Sequence, residues 1–517
     1  MLEFLRASAS TEAGIKVSRI KYFASAPQWF LINKPQLVMN FSHAFRFRLL
    51  VSLLVLGITS LSAADALRER ISINADWRFQ KDDPAEVAGS LDYPKIRDWV
   101  LPSSAAFVKN PAALPKRPAG TLAASVPFIQ PGFDDGAWRK LDLPHDWAIE
   151  GPFKQEYPGN IGKLKYWGPV WYRKHLTLPA SDQGRRIFLD IDGAMSYATV
   201  WCNGQFVGGW PYGYSSFRLD LTPYVKPGSD NVLAIRLDSP DKSARWYPGG
   251  GIYRNGWLVK TSAVHVGHWG TAITTPQVSA EKATVAVKVS VANQGTTPAS
   301  AVVKTQLRFA GKSVAELAAQ TVSVPAGGSA LALAEVAVTQ PQLWDTTTPQ
   351  RYTAVTTVEV GGKVVDTYET LFGIRSIRFT PDNGFLINGK RLELKGLFNH
   401  HDFGALGAAW NTRAAQRQLE IMKEMGVNAL RTSHNMPAPE LLELCDAMGI
   451  LVMVESFDSW KQGKAMTSPK TGSFRYPCRC PRRRTHASRD FRRERGGRCD
   501  RQARGRCHYS RNPPGHA

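Results

Sequence analysis

The sequence predicts two β-sandwich domains followed by the first units of a (β/α)₈ barrel. Three observations indicate this order: short strand patterns over residues 71–260, period-two alternation within 264–374, and alternating strand and helix patterns after Arg375. Apolar residues make up 43% of the 517 residues and charged residues 21%, a balance typical of globular domains. This composition excludes a disordered, collagen-like or polytopic membrane protein.

The first β-rich segment covers residues 67–262. Its runs Ile187–Ile191, Ala198–Cys202 and Val232–Leu237 have the length and apolar character of strands. Asn203-Gly204, directly after the second run, predicts a two-residue hairpin turn. Tryptophan and tyrosine are frequent here, and most of them are expected in the core, with a few available for stacking against sugars.

The second β-rich segment covers residues 263–374. Residues Ala283–Val291 alternate between apolar and polar side chains, as a half-buried strand does. A length of about 100 residues fits an immunoglobulin-like β-sandwich. Because no group of polar residues stands out within it, we expect this domain to act as a spacer.

Residues 375–463 carry the pattern of a β/α barrel. Units of ~30 residues in the order βαβαβ are typical of this fold, which needs eight strands and ~250 residues. The segment therefore predicts an incomplete barrel of three strands. The predicted strands and helices are Leu392–Gly396, Thr412–Met425 with Thr412 as N-cap, Val427–Arg431, Ala438–Met448 and Leu451–Glu455.

Polar residues gather where the three predicted barrel strands end. They occupy Phe398–Asp402, Arg431–Asn435 and Glu455–Trp460. The active site of a β/α barrel lies at the carboxyl ends of its strands. Histidine, arginine and aspartate beside a tryptophan suit a hydroxyl-rich ligand, through hydrogen bonds and apolar stacking. The sequence therefore predicts a binding pocket at this end.

The N-terminal region has the pattern of a secretory signal peptide over residues 39–66. Arg46 and Arg48 precede the apolar run Leu49–Leu61, and small residues follow it. We expect residues 1–38 to be upstream sequence from an overcalled start codon. The exported chain is expected to be secreted or periplasmic, without stable membrane association after signal cleavage. An uncleaved anchor is the open alternative.

The formal net charge of +22 is concentrated in the C-terminal tail. Residues 475–517 contain fourteen arginines and three acidic residues, a net charge of +11, and no Leu, Ile, Val, Met or Trp. Such a segment cannot bury enough apolar surface to fold. We expect 464–517 to be a disordered arginine-rich tail read out of frame, with an arginine-rich nucleic-acid arm as the alternative. No nucleic-acid partner is predicted for the folded part.

The six cysteines do not predict a metal site or a disulfide framework. Cys202 and Cys445 lie far apart in the globular part, and the other four lie in the tail. Cys478 and Cys480 have the wrong spacing for a usual zinc site. No metal ligand and no cofactor are predicted from these residues, and metal dependence stays open. The oligomeric state is not predicted by the sequence.

Several segments, in order along residues 70–463, resemble the family 2 glycoside hydrolases and most closely their β-galactosidase branch. The resemblance implies a jelly-roll sugar-binding domain, an immunoglobulin-like domain and a catalytic TIM barrel. The segments that carry it are Phe133–Trp138, Leu143–Trp147, Glu150–Phe153, Trp171–Lys174, Arg245–Gly249, Gly251–Arg254, Phe372–Arg375, Leu386–Lys390, Lys395–Asp402 and Arg431–His434.

The resemblance also implies substrate-binding residues. His400 and His434 match histidines that contact the terminal sugar, and Arg431 supports them. Asp402 and Trp460 belong to local patterns that favour a galactosidase over a glucuronidase or mannosidase. Asp238 matches a jelly-roll carboxylate that reaches the sugar hydroxyls.

The catalytic carboxylates of the family have no match here. Retaining hydrolysis needs two carboxylates ~5–5.5 Å apart. In this family both are glutamates on later barrel strands, whereas Glu393 and Glu455 lie on early strands and match neither. The acidic residues after Trp460 all lie in the tail: Asp490, Glu494 and Asp500.

The resemblance therefore implies an enzyme family that hydrolyses terminal β-galactosides, with a β-galactoside as the expected partner. We expect this chain itself to be inactive and its C-terminal part to fold poorly. Two alternatives stay open: a non-catalytic secreted carbohydrate-binding fragment, and a relative of the β-glucuronidase or β-mannosidase type.

Overall fold

The computed structural model describes residues 67–108 and 110–458. The predicted signal peptide, the arginine-rich tail and Trp460 lie outside the described residues. Among the helices of this part of the chain, none has the length and apolar character needed to span a membrane.

The first part of the described chain is a two-sheet antiparallel sandwich with one helix, α1 (Tyr93–Val100), in a loop. Its strands are β1 (Glu69–Ser72), β2 (Trp77–Lys81), β3 (Arg139–Leu141), β4 (Gly168–Thr177), β5 (Arg186–Ile191), β6 (Ala198–Cys202), β7 (Gln205–Trp210), β8 (Phe217–Asp220), β9 (Asp230–Ser239) and β10 (Gly256–Thr261). One sheet has the order β3-β2-β4-β9-β6-β7 and the other β1-β10-β5-β8.

Apolar side chains from both sheets fill the space between them, among them Trp77, Tyr172 and Leu189, all fully buried. The hairpin predicted after Cys202 is confirmed, because Asn203 and Gly204 adopt the left-handed backbone of a two-residue turn between β6 and β7. On the other side of the six-stranded sheet, the Trp171 ring stacks on that of Trp201 at 5.4 Å.

The second part is also a two-sheet antiparallel sandwich. Its strands are β11 (Val264–Val278), β12 (Lys282–Asn293), β13 (Ala299–Phe309), β14 (Lys312–Glu316), β15 (Gln320–Val324), β16 (Ser329–Thr339), β17 (Tyr352–Val360) and β18 (Lys363–Phe372). The sheets have the orders β11-β12-β16 and β14-β13-β17-β18, with β15 also paired to β13. In β12 the side chains of Ala283–Val291 alternate as predicted, and every second residue is turned into the core: Ala283, Val285, Val287, Val289 and Val291.

The third part has the predicted βαβαβ order. A small antiparallel meander precedes three parallel strands in the order β22-β23-β24, connected by two helices. The elements are β19 (Ile377–Thr380), β20 (Gly384–Ile387), β21 (Lys390–Arg391), β22 (Gly396–Asn399), α2 (Thr412–Glu424), β23 (Ala429–Thr432), α3 (Pro439–Met448) and β24 (Leu451–Val454).

Two local predictions in this part were wrong. The first barrel strand begins at Gly396 and not at Leu392, because the amide of Leu392 donates to the Phe385 carbonyl and ties this stretch to the meander. The N-cap of α2 is Asn411 and not Thr412, since the Asn411 side chain accepts a hydrogen bond from the Ala414 amide.

One face of the parallel sheet is left open by the described residues. Phe398 is 63% exposed and Met453 42%, and both lie on the same face because each is paired with Arg431. Parallel strands in β/α folds are normally covered on both faces. Three strands and two helices therefore bury only one side of this sheet.

The barrel part is attached to the first sandwich through the buried carboxylate of Asp146. One oxygen accepts hydrogen bonds from the amides of Ala148 and Gly250, at 3.0 and 2.8 Å. The other accepts from the Tyr247 hydroxyl and from the amide of Ala408, both at 2.7 Å. Burial raises the pKa of Asp146, and these four donors oppose that effect. We refer to this arrangement as the Asp146 clamp.

The clamp predicts that Asp146→Asn destabilises the protein. An amide presents only one acceptor oxygen, so buried donors lose their partner at a cost of about 2 kcal/mol. Urea unfolding followed by tryptophan fluorescence should show a lower midpoint for this variant. The control is Asp241→Asn, on the exposed side of the same domain. Equal midpoints for the two variants would contradict the assigned role of the clamp.

Candidate functional site

The three barrel strand ends meet a loop of the first sandwich, residues 245–250. The Trp246 ring from this loop lies 5.3 Å from the ring of His400 and 5.5 Å from that of His434, between centroids. The two histidine rings are 5.8 Å apart. Residues from two domains thus form one aromatic and imidazole surface, which we call the Trp246 cluster.

Glu455 connects the second and third strand ends. Its carboxylate accepts a hydrogen bond from Arg431 Nε at 2.8 Å, and its other oxygen lies 2.8 Å from His434 Nδ1. Burial raises the pKa of Glu455, but the hydrogen bonds from Arg431 and His434 outweigh it and hold that pKa below its usual value. Glu455 is therefore ionised and orients Arg431 and His434, which makes it unsuited to donate a proton.

The third strand end is held by two contacts with the first sandwich. Asp458 forms a bidentate ion pair with Arg245, with 3.0 Å between Nε and Oδ2. The Tyr212 hydroxyl donates to the Ser456 carbonyl at 2.6 Å. These contacts place the loop of Trp246 directly over the strand ends.

The two adjacent histidines after β22 are both held in the neutral form. Burial lowers the pKa of His401 to about 4, and its Nε2 lies 3.0 Å from the Pro248 carbonyl, which requires that nitrogen to donate. Burial also lowers the pKa of His400, an effect that the nearby Asp402 opposes. His401 packs between the rings of Tyr214 and Tyr253 and so supports the loop, whereas His400 faces Trp246.

The structure brings His400, His434 and Arg431 together, as the sequence had suggested. Asp402 lies beside them and accepts a hydrogen bond from the Gly404 amide at 3.2 Å. Trp460 lies outside the described residues.

Asp238 does not join this group. Its carboxylate accepts from Arg236 Nη1 at 3.3 Å, and Arg236 is also held by Asp83 at 2.6 Å. Its backbone hydrogen bonds link it to Ser196. All these partners belong to the first sandwich, so the structure places Asp238 in an ion-pair network of that domain, and its substrate-binding role stays a prediction.

Sequence reasoning missed the contribution of Trp246 and Arg245. Both belong to the motif Arg245–Gly249, which was noted only as part of a family resemblance. Both residues are far from the barrel segment along the chain, so local sequence patterns could not predict the contact of Trp246 with His400 and His434. An Arg-Trp pair in a segment that ends in Pro-Gly was the signal available, because loops carry a disproportionate share of binding residues.

The arrangement suits binding of a hydroxyl-rich ligand. Imidazoles, a guanidinium and carboxylates supply both donors and acceptors, and the Trp246 ring offers an apolar face. No group of three or more His, Cys, Asp or Glu side chains that could hold a metal ion occurs within residues 67–108 and 110–458.

Three family models match consecutive parts of the chain. The glycosyl hydrolase 2 galactose-binding domain-like model matches residues 140–273, the glycosyl hydrolases family 2 model 264–375, and the family 2 TIM barrel domain model 379–482. Their order is the order of the two sandwiches and the barrel part.

Curated relatives carry two kinds of name. A β-galactosidase of Bacteroides ovatus is 42% identical over 412 residues, which are 79% of this chain and 44% of the relative. A β-glucuronidase of Bacteroides fragilis is 29% identical over 63% of this chain and 47% of its own length. The chain spans less than half the length of each of these relatives.

A solved structure of a glycosyl hydrolase family 2 member from Bacteroides cellulosilyticus has the same architecture. It is 33% identical, with a TM-score of 0.66, over 76% of this chain and 47% of the other. The three family models, these relatives and the shared fold agree with one another. The chain belongs to family 2 of the glycosyl hydrolases.

Proposed function

We propose that the Trp246 cluster binds the terminal galactose of a β-galactoside, in a protein derived from retaining β-galactosidases. The observation that carries this proposal is the contact of Trp246 with His400 and His434 above the Arg431–Glu455 pair. A tryptophan face beside paired donors and acceptors suits the apolar and hydroxylated faces of a sugar. In this proposal His400, His434, Arg431 and Asp402 are substrate-binding residues.

Charge favours a neutral sugar over a glucuronide. Arg431 is already bound by Glu455, and Arg245 by Asp458. Asp402 adds a third carboxylate close to His400. Among the described residues the surroundings of Trp246 therefore hold more carboxylates than guanidinium groups, which disfavours the negative charge of glucuronic acid.

The names of several relatives support β-glucuronidase as the second candidate. A glucuronide-binding site would need a cation aimed at the sugar carboxylate. Competition between a β-galactoside and a β-glucuronide for the same site therefore separates the two candidates.

We further propose that these 517 residues bind a galactoside without hydrolysing it. The role of Glu455 as an ion-pair partner of Arg431 and His434 leaves it without a proton to donate. The sequence after Trp460 supplies acidic residues only among arginines. Export to the periplasm or the medium, through the signal pattern of residues 39–66, is part of the same proposal.

The binding proposal predicts that Trp246→Leu weakens the affinity for lactose about tenfold, or about 1.4 kcal/mol, because the stacking surface is removed. Isothermal titration calorimetry of the 517-residue chain measures this. The matched control is Trp167→Leu, which removes a half-buried tryptophan that contacts Tyr157 and Tyr166 elsewhere in the first sandwich. Unchanged affinity in the Trp246 variant, or tighter binding of a β-glucuronide than of lactose, would refute the galactoside assignment.

The proposal of binding without hydrolysis predicts no turnover of a chromogenic β-galactoside by the 517-residue chain. Hydrolysis needs an acid and a nucleophile, and Glu455 is already held by Arg431 and His434. The full-length β-galactosidase of Bacteroides ovatus serves as the active control. Turnover by the 517-residue chain above the rate in buffer would contradict the proposal.

A further inference from the structure

A second cavity lies between the two sandwiches and shares no residue with the Trp246 cluster. Its volume is about 260 Å³. The first sandwich lines it with side chains from the outer face of its smaller sheet, and the second sandwich with side chains from β11 and β18. Those used below are Arg70, Asp190, Arg218, Trp269, Tyr368 and Glu369.

A β-bulge presents Trp269 to this cavity. The pairing of β11 with β12 is interrupted between Val266 and Thr271. Trp269 sits there with a φ of +48°, a conformation that a bulky residue rarely adopts. A Cβ at Gly270 would lie 2.8 Å from the carbonyl oxygens of Gly267 and Ser290, so only glycine fits at that position of the bulge. The bulge thus redirects a tryptophan out of its own sheet, as bulges beside functional sites do.

Trp269 is the aromatic face available in this cavity. The guanidinium of Arg68 lies 4.9 Å from the centre of the Tyr368 ring and covers it. One face of Trp269 packs on the His268 ring at 3.9 Å, and the side chain as a whole is only partly buried. A ligand can therefore stack on Trp269 without displacing an existing partner.

The charges that line the cavity balance. Three arginines, Arg68, Arg70 and Arg218, face three carboxylates, Asp190, Asp192 and Glu369. Arg218 binds Asp190 through two hydrogen bonds of 2.6 Å. Glu369 is exposed and forms no ion pair with any described residue. A balanced set of donors and acceptors disfavours an anion or a cation and favours a neutral ligand that can both donate and accept.

We infer that this cavity is a second saccharide-binding site, one that takes a single neutral sugar residue. The sugar ring stacks on Trp269, and its hydroxyl groups donate to Glu369 and accept from Arg70. A volume of about 260 Å³ suits one sugar ring rather than a longer chain. The inference does not depend on the function proposed for the Trp246 cluster.

The test measures sugar binding in a background in which the first site is weakened about tenfold. The 517-residue chain carrying Trp246→Leu is titrated with D-galactose, D-glucose and lactose, and binding is followed by saturation-transfer NMR. We expect one saccharide site to keep its affinity in this variant. Adding Trp269→Asn should weaken it about tenfold, because asparagine tolerates a positive φ but offers no stacking face. Adding Glu369→Gln instead should weaken sugar binding several-fold. The strand β18 should stay intact, because the Glu369 side chain is exposed.

The outcomes separate the two proposals. Loss of all saccharide binding on Trp246→Leu alone would overturn the second site and support the first. Binding that is unaffected by Trp246→Leu but lost with Trp269→Asn would support the second site and overturn the first. Binding in the Trp246→Leu background that neither Trp269→Asn nor Glu369→Gln weakens would overturn the inference, as would tighter binding of inorganic phosphate than of any of the three sugars.

Discussion

The geometry of the proposed galactose site depends on the buried carboxylate of Asp146. Two oxygen atoms accept four hydrogen bonds, from its own loop, from the loop of Trp246 and from the barrel segment at Ala408. A buried carboxylate is tolerated only when its acceptors are satisfied, so the three segments must stay together. The position of Trp246 above the barrel strand ends follows from that requirement.

The Trp246 cluster illustrates how a site can be divided between domains. The barrel contributes His400, His434 and Arg431 from two strand ends, and the first sandwich contributes the aromatic face. Glu455 holds Arg431 and His434 in their orientations through its two carboxylate oxygens. Recognition of a sugar therefore uses the early barrel strands, whereas bond cleavage in a retaining glycosidase requires a separate pair of carboxylates.

The interface between the two sandwiches is also built from polar side chains. The ion pair Arg68–Asp366 joins the two sandwiches, while Arg218 and Asp190 pair with each other within the first sandwich, and a cavity remains between the sheets. The bulge of β11 places Trp269 in that space. An interface made of polar side chains can thus form a pocket, where a close-packed apolar interface would fill the space.

The sequence by itself determined the features that depend on neighbouring residues. The Asn203-Gly204 turn, the alternation along Ala283–Val291 and the βαβαβ order follow from backbone preferences and from periodicity, which act over a few residues. Motifs in family order also indicated the family. Only the tertiary structure decided that Leu392 pairs with the meander, that Asp238 points into its own sandwich, and that Trp246 meets His434. Those contacts join residues far apart in the chain, and their geometry is set by domain packing, which local patterns do not encode.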